Sequence, residues 1–341
     1  MTIGIGVLGS GFMGHTWAEV AANHAAGSRL VAMAGGRRAP GVAAEYGIPV
    51  DDSFEALLAR PDVDVVVITT PPDGHCVQVE AAAAAGKHIL VEKPMSITAA
   101  EAGRMVAAAD GAGVRLAVVS QHRWRDAPVA AKRVIESGRL GTIRMARIES
   151  TAVGWWDLEA RQDQWKKDPA KQTAFSSDAA HGCDILRWYL GSEPIRAYSQ
   201  WTSYTGFVPG ESNMTIFTWA NGVLSDYWMS YELPEPGLGP MSFLLTGSEA
   251  MLRLDMYGKV KVSRPDGSWE LVFEQAPFDP LNAVDPRRLR AYAGQLEDLV
   301  AAIASGRDPL VSGREGHRTM QMLEGADRSA ELNQAVDLPL V

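Results

Sequence analysis

The chain of 341 residues is 46% hydrophobic and 21% charged, a composition typical of a globular protein with about two domains. Its formal net charge of -9 argues against nucleic acid as a partner, because such binding draws on clustered lysine and arginine. No apolar run is long enough to cross a bilayer, so we expect no membrane span.

The two cysteines, Cys76 and Cys183, lie far apart in segments with helical character and lack the spacing of metal ligands. This pattern indicates a reducing compartment. The N-terminus opens directly into an apolar strand-like run and lacks the pattern of a signal peptide. We therefore predict a cytoplasmic protein.

Short apolar runs alternate with helical patterns through the first 120 residues. The predicted strands cover residues 3–8, 30–34, 63–69, 88–91 and 116–119. Strands that alternate with helices are typical of βαβ units, in which a parallel sheet lies between two helix layers. The runs are β-branched and nearly unbroken, which suits strands that are covered on both faces. We predict a doubly wound α/β domain.

After residue 120 the pattern changes to many alternating strands with a few helices. The predicted strands cover residues 143–152, 214–220, 223–230, 242–246 and 259–263, and the predicted helices cover residues 129–137, 178–190, 287–305 and 313–332. Asn221-Gly222 lies between two of these runs and predicts a two-residue hairpin loop. The second half should therefore hold a largely antiparallel sheet.

The segment 9–14, Gly-Ser-Gly-Phe-Met-Gly, matches the pattern G-x-G-x-x-G. In dinucleotide-binding proteins these glycines allow a tight turn, close approach of the pyrophosphate and close helix–strand packing. The match has the context that the motif requires, because it follows the first strand and precedes a helix whose N-terminus would face the phosphates. The predicted dinucleotide-binding turn contains Gly9, Gly11, Phe12, Met13 and Gly14.

The end of the second strand lacks an acidic residue. NAD-specific versions of this fold place Asp or Glu there to bind the adenosine ribose. Here Gly35 and Gly36 are followed by Arg37 and Arg38, two cations suited to a 2'-phosphate. This favours NADP over NAD, although solvated surface charges would give the same pattern.

Two further segments carry residues suited to proton transfer. Glu92-Lys93-Pro94 follows the fourth strand, so Lys93 lies at the carboxyl edge of the sheet, where it can polarise a substrate oxygen. Asp178, His181 and Asp184 fall near one face of a predicted helix, and a carboxylate can orient the imidazole. No further cluster completes a set of metal ligands, so we expect no metal.

These motifs, in this order, resemble the family of glucose-fructose oxidoreductase, inositol dehydrogenase and rhizopine-catabolism proteins (Gfo/Idh/MocA). The resemblance runs nearly the whole chain. Besides the glycine turn it rests on Thr70-Pro71, Glu92-Lys93-Pro94, Arg123-Trp124, Ser137-Gly138-Arg139-Leu140-Gly141 and His181-x-x-Asp184. It implies a Rossmann domain over residues 1–121 with tightly bound NAD or NADP. It also implies an α/β domain over residues 122–341, with an open, mostly antiparallel sheet, for substrate binding and oligomerisation. Whether the last helices pack back on the first domain stays open.

The resemblance implies that Lys93 and His181 are catalytic, together with an aspartate. The family places that aspartate four residues before the histidine, where this chain has Ser177, so Ser177 and Asp178 are both candidates for the role. The predicted cofactor residues outside the glycine turn are Arg37, Arg38, Thr70, Pro71, His75, Glu92, Lys93 and Gln121. The predicted substrate residues are Lys93, Arg123, Trp124, Trp155, Trp156, Asp178 and His181.

The sequence therefore predicts an NADP-preferring oxidoreductase that acts on a sugar or polyol carbinol in a pocket between the domains. His181 would take the hydroxyl proton while Lys93 stabilises the oxyanion. Two alternatives remain: a glycosidase that uses its bound cofactor for transient oxidation, and a non-catalytic dinucleotide-binding regulator. An apolar sheet face that includes residues 214–219 predicts burial in a homo-oligomer, either a dimer or a tetramer.

Overall fold

The computed structural model describes residues 2–153, 174–204, 206, 210–233 and 241–340. The chain forms two compact units, and each is assembled from two segments. The first unit contains Met1–Trp124 and Phe278–His317, and the second contains Arg125–Pro277 and Arg318–Val341. Among the described residues, no helix combines the length and the apolar character needed to cross a membrane.

The helices of the described residues fall in both units. In chain order they are α1 (Phe12–Glu19), α2 (Ala39–Tyr46), α3 (Phe54–Ala59), α4 (His75–Ala84), α5 (Ala99–Ala112), α6 (Asp126–Glu136), α7 (Ala174–Leu190), α8 (Pro286–Ser305) and α9 (Gly313–Leu332). The helix predicted after the glycine turn is divided, because α1 continues into a π-helical turn at Val20–His24. A predicted boundary was wrong for α7, which begins at Ala174 rather than at residue 178. Ser177 and Asp178 therefore lie inside this helix.

The first unit contains a six-stranded parallel sheet. Its strands are β1 (Ile3–Leu8), β2 (Ser28–Ala34), β3 (Val50–Asp51), β4 (Val65–Ile68), β5 (His88–Val91) and β6 (Leu116–Val118). They are ordered β3-β2-β1-β4-β5-β6, and every neighbouring pair is parallel. β1 and β4 are buried along their whole length, as expected for strands covered on both faces. The strand order reverses between β1 and β4, the position where sheets of this type bind ligands.

Helix α8 belongs to the core of the first unit, although it lies far along the chain. Trp17 of α1 is fully buried, and its ring packs edge-on against Tyr292 of α8 with centroids 5.2 Å apart. Leu289, Leu296 and the β1 residue Ile5 are buried in the same cluster. The first unit therefore depends on residues from both of its segments.

The second unit contains a nine-stranded, mostly antiparallel sheet. Its strands are β7 (Ile143–Val153), β8 (Pro194–Thr202), β9 (Ser212–Trp219), β10 (Leu224–Leu233), β11 (Ser242–Gly247), β12 (Met251–Asp255), β13 (Lys259–Ser263), β14 (Trp269–Glu274) and β15 (Val336–Asp337). The order is β14-β13-β12-β11-β7-β10-β9-β8-β15. β7 and β10 pair in parallel, and the other neighbouring strands of this sheet are antiparallel. The predicted fold class is confirmed for both sheets.

The hairpin predicted at Asn221-Gly222 is present between β9 and β10, but its loop length was predicted wrongly. The amide of Trp219 donates to the carbonyl of Val223 at 3.0 Å, which leaves a loop of three residues, Ala220 to Gly222. Gly222 has a φ of 84°, whereas Asn221 does not take a positive φ. A three-residue loop needs one residue in the left-handed region, while the predicted two-residue turn needs two.

Candidate active site

The glycine turn connects β1 to α1, and its glycines are required for different reasons. At Gly9, where φ is 104°, a Cβ would lie 2.5 Å from Thr69 Oγ1, and at Gly14 a Cβ would lie 2.2 Å from the carbonyl oxygen of Gly9. Packing therefore explains these two residues. A Cβ at Gly11 would meet no atom within 4 Å. The free space beside Gly11 fits the close approach of a pyrophosphate.

The N-terminus of α1 is left without a side-chain cap. Gly11 is the N-cap residue and provides no side-chain acceptor for the first-turn amides, and the first turn contains no acidic residue. These amides and the positive end of the helix dipole are therefore available to an anion. The turn fits a dinucleotide phosphate on both steric and electrostatic grounds.

The segment after β2 lies directly against this turn. Gly36 has a φ of 83°, and a Cβ there would lie 2.2 Å from Ser10 Oγ. The backbone amide of Arg38 donates to the same oxygen at 3.2 Å. The side chains of Arg37 and Arg38 are exposed, and neither forms an ion pair within the described part of the chain. Two uncompensated cations therefore stand where NAD-specific proteins have a carboxylate.

His75 connects the ends of β4 and β5 beneath the surface. Its Nε2 lies 2.8 Å from the carbonyl oxygen of Thr70, and its Nδ1 lies 3.1 Å from that of Pro94 and 3.3 Å from that of Met95. Complete burial lowers the pKa of His75, and these carbonyls oppose the shift. Because the ring is buried, His75 supports the backbone at the ends of β4 and β5. The hydroxyl of Thr70 donates to Gln78 Oε1 at 2.6 Å.

Lys93 lies at the carboxyl edge of the sheet, on a backbone that the buried Glu92 supports. Glu92 Oε1 accepts a hydrogen bond from Trp17 Nε1 at 2.9 Å, and Oε2 accepts one from the backbone amide of Lys93 at 3.0 Å. Burial raises the pKa of Glu92, while these hydrogen bonds and the nearby charge of Lys93 oppose the rise. Glu92 therefore connects α1, which follows the glycine turn, to the backbone of Lys93.

Three predicted residues follow β6 in a 3-10 turn, Gln121–Trp124. The buried Oε1 of Gln121 has no hydrogen-bond partner among the described residues. Arg123 pairs with Glu315 at 3.3 Å, and its side chain is almost fully buried. Trp124 packs against α8 at Gly294, where a Cβ would lie 2.7 Å from its ring. Arg123 and Trp124 therefore have structural contacts within the first unit, whereas Gln121 retains an unused acceptor.

In the second unit, α7 is fixed tightly to the sheet. A Cβ at Gly182 would lie 2.6 Å from the ring of Tyr227 on β10. Arg187 also forms two hydrogen bonds with Glu193, at 2.8 and 2.7 Å. From residue 179 to residue 187, all of which the structure describes, His181 is the one side chain that is not buried. His181 is therefore the partly exposed residue in this buried stretch of α7.

Four predicted site residues lie in part or wholly outside the described residues, and the Cys183 thiol is unreactive. Trp155 and Trp156 lie outside the described residues, as do the side chains of Ser177 and Asp178. Burial raises the pKa of the Cys183 thiol, which disfavours a nucleophilic thiolate. Within the described ranges, no group of three His, Cys, Asp or Glu side chains has the arrangement of a metal site.

The family relationship follows from two matches that together span most of the chain. The oxidoreductase family model with an NAD-binding Rossmann fold matches residues 3–120, and the Gfo/Idh/MocA C-terminal domain model matches residues 129–253. The chain belongs to the Gfo/Idh/MocA family. The resemblance inferred from its motifs is confirmed, and the chain is an oxidoreductase-family protein with a nicotinamide-dinucleotide-binding fold.

Individual Gfo/Idh/MocA relatives align along their full length. Inositol 2-dehydrogenase of Rhizobium meliloti (strain 1021) is 26% identical over 350 residues, which cover 99% of this chain and 100% of that protein. The 1,5-anhydro-D-fructose reductase of Ensifer adhaerens is 27% identical over 348 residues, 98% of each chain. The solved WlbA dehydrogenase from Bordetella pertussis, in complex with NADH and UDP-GlcNAcA, shares the fold with a TM-score of 0.85. It is 23% identical, and the match covers 100% of this chain and 99% of that one.

One residue of this Gfo/Idh/MocA protein escapes the sequence motifs. Arg288 is buried in the first turn of α8 and contacts both Phe12 and Met13 of the glycine turn. Its position could have been noticed, because Arg288 precedes Tyr292, Leu296 and Leu299 at helical spacing and so lies on their apolar face. A buried cation at such a position needs hydrogen-bond acceptors or an opposite charge.

Proposed function

We propose that this protein is an NADP-preferring dehydrogenase or reductase that moves a hydride between the nicotinamide and a sugar or polyol carbinol. Two aligned relatives are named for reactions of this class, inositol 2-dehydrogenase and 1,5-anhydro-D-fructose reductase. The observation that carries the proposal is Lys93 at the carboxyl edge of the sheet, on a backbone that Glu92 and Trp17 connect to α1. The two free, buried cysteines support a cytoplasmic location.

The chemistry divides between the cofactor and two side chains. When bound at the glycine turn, the dinucleotide would supply the hydride-accepting and hydride-donating chemistry. Lys93 stabilises the negative charge that develops on the substrate oxygen. His181 takes the hydroxyl proton on Nε2, since its Nδ1 is buried, and returns that proton during ketone reduction. Glu92 holds the backbone of Lys93 throughout.

The direct test is a screen of sugars, polyols and sugar acids with NADP⁺ and NAD⁺, followed by absorbance of the reduced nicotinamide. We expect net cofactor reduction with at least one of these substrates. Release of sugar from a glycoside without net reduction would identify the glycosidase instead, and dinucleotide binding without either reaction would identify the regulator. Activity that is unchanged in both Lys93→Ala and His181→Ala variants would refute the assigned site.

Cofactor preference depends on the two cations after β2. Replacing both Arg37 and Arg38 by alanine should raise KM for NADP⁺ about tenfold or more and change KM for NAD⁺ less than about twofold, because only NADP⁺ carries a 2'-phosphate. Steady-state kinetics with both cofactors measures the difference. Arg29→Ala, an exposed arginine at the opposite end of β2, is the matched control. Equal losses for both cofactors would remove the basis for NADP preference.

We propose that the outer face of the nine-stranded sheet is buried against a second copy of the chain. Its exposed apolar side chains include Met145, Tyr198, Met214, Ile216 and Leu224. In the sheet register, Tyr198 lies opposite Ile216 and Leu224 lies opposite Met145, so the apolar side chains share one face of strands β7, β8, β9 and β10 with the ion pair of Arg147 and Asp226. Ile216 is 44% exposed and Met214 is 61% exposed, which leaves much apolar surface to be covered.

Light scattering after size exclusion tests this association. The wild type should elute as a dimer or tetramer of the 36.7 kDa chain, and Ile216→Asp should shift it to a smaller assembly because a charge would be buried. Val77→Asp, on the exposed side of α4, should leave the mass unchanged. A monomeric wild type would contradict the proposal.

A further inference from the structure

We propose that Arg288 is a positioning residue of the dinucleotide site: a buried cation, fixed beside the first turn of α1, whose charge is balanced by the phosphates of the bound cofactor. The inference rests on the proposed dinucleotide cofactor. It adds a residue from a distant segment of the chain to the glycine turn.

The guanidinium of Arg288 lies between two aromatic rings. Its Cζ is 4.7 Å from the centroid of Phe12 and 4.7 Å from the centroid of Tyr292. Nη2 lies 3.7 Å from Met13 Sδ, and Nη1 donates to Thr16 Oγ1 at 3.0 Å. Phe12 and Met13 are the two residues between the second and third glycines of the motif. Arg288 therefore packs against one side of the glycine turn.

Among the residues that the structure describes, Arg288 has no ion-pair partner. The residue is 4% exposed, and its side chain donates to neutral oxygens: Thr16 Oγ1, the carbonyl of Ala283 and the hydroxyl of Tyr292, the last two at 3.1 Å. Within the described part of the chain, no carboxylate forms an ion pair with it. Glu92 feels this charge at longer range, where the charge opposes the rise that burial causes in the pKa of Glu92.

A buried cation without a counter-ion reduces stability, because desolvation is not repaid by ion pairing. Its position at the N-terminus of α1 adds to this cost, since that end of the helix is itself positive. An anion bound at the turn would relieve both effects. Arg288 should therefore lower the stability of the cofactor-free protein and raise the affinity for dinucleotide. A purely structural arginine would predict the opposite effect on stability.

The test compares Arg288→Met, which keeps the length of the side chain and removes the charge, with Arg288→Lys, which keeps the charge. Melting temperature without cofactor and Kd for NADP⁺ by calorimetry are measured at low ionic strength. We expect Arg288→Met to melt at or above the wild-type temperature and to bind NADP⁺ about tenfold or more weakly. Arg288→Lys should bind within about threefold of wild type. Inorganic pyrophosphate should raise the melting temperature of the wild type more than that of Arg288→Met.

Arg287→Met is the matched control, because Arg287 is exposed in the same turn of α8, and it should change neither quantity. If Arg288→Met binds NADP⁺ as tightly as wild type, the inference is overturned while the proposed function stands. If the wild type binds no dinucleotide, the proposed function itself fails. If Arg288→Met folds but melts below the wild type, Arg288 is structural and the inference is overturned. If it does not fold, Arg288→Lys decides: near-wild-type binding supports the role of the charge, and weak binding overturns it.

Discussion

Replacing Lys93 by methionine should lower kcat/KM for the sugar or polyol substrate by about 10²–10⁴-fold, because the developing oxyanion loses its charged donor. The substitution keeps the aliphatic stem and leaves the hydrogen bond from the backbone amide of residue 93 to Glu92 intact. The Kd for the dinucleotide should change by a much smaller factor than kcat/KM. Steady-state kinetics together with a fluorescence titration of the cofactor separates the two quantities.

Lys259→Met provides the control for this variant. Lys259 lies on β13 of the second unit and pairs with Glu274 at 3.2 Å, so its loss should leave kcat/KM within about twofold of wild type. A Lys93 variant that retains wild-type kcat/KM, or one that loses turnover only because the cofactor no longer binds, would contradict the assigned role.

Valine at Gly11 should weaken dinucleotide binding by about 100-fold or more while the free energy of unfolding without cofactor changes by about 1 kcal/mol or less. Gly11 has a φ of -71°, which any residue adopts, and the space that its side chain would enter is free of protein atoms. The valine side chain would therefore displace the pyrophosphate and not the fold. Calorimetric titration and denaturant unfolding of the same preparation measure the two effects.

Gly14→Val is the informative comparison for Gly11→Val. A Cβ at residue 14 would overlap the carbonyl oxygen of Gly9, so this variant should lose several kcal/mol of unfolding free energy even without cofactor. If both variants destabilise the cofactor-free protein alike, the free space at Gly11 has no special connection with a ligand. The contrast between the two glycines thus tests the phosphate site without measuring turnover.

The fold was predictable where local signals were strong. Strands β1 and β5 have the predicted bounds, as do β13 and α9, because continuous or periodic apolar runs define them. The two-residue strand β3 was not predicted, since it owes its pairing to β2 and not to its own sequence. β8 was also missed. Burial alternates from Arg196 to Thr202, but Tyr198 is exposed and Ser199 is buried, so polar and apolar residue types do not follow that alternation.

In the candidate site, too, only the features with a strong local signal were predictable. The glycine turn and Lys93 follow strand ends, so their placement at the carboxyl edge could be inferred from position in the chain alone. Contacts between distant segments could not be inferred in this way. Arg123 meets Glu315, and Phe12 meets Arg288, across separations that no local pattern in a single sequence encodes. The buried support of Lys93 by Glu92 and Trp17 likewise joins segments that are far apart in the sequence.

The contribution of α8 to the first unit has a consequence for synthesis on the ribosome. Residues 1–124 emerge long before the helix at Pro286–Ser305 that covers Trp17. At roughly 5–20 residues per second, synthesis of the intervening residues takes on the order of ten seconds, and that apolar side of the nascent sheet stays uncovered for this time. During this interval the uncovered apolar surface favours aggregation, and the glycine turn still lacks the arginine that packs against it.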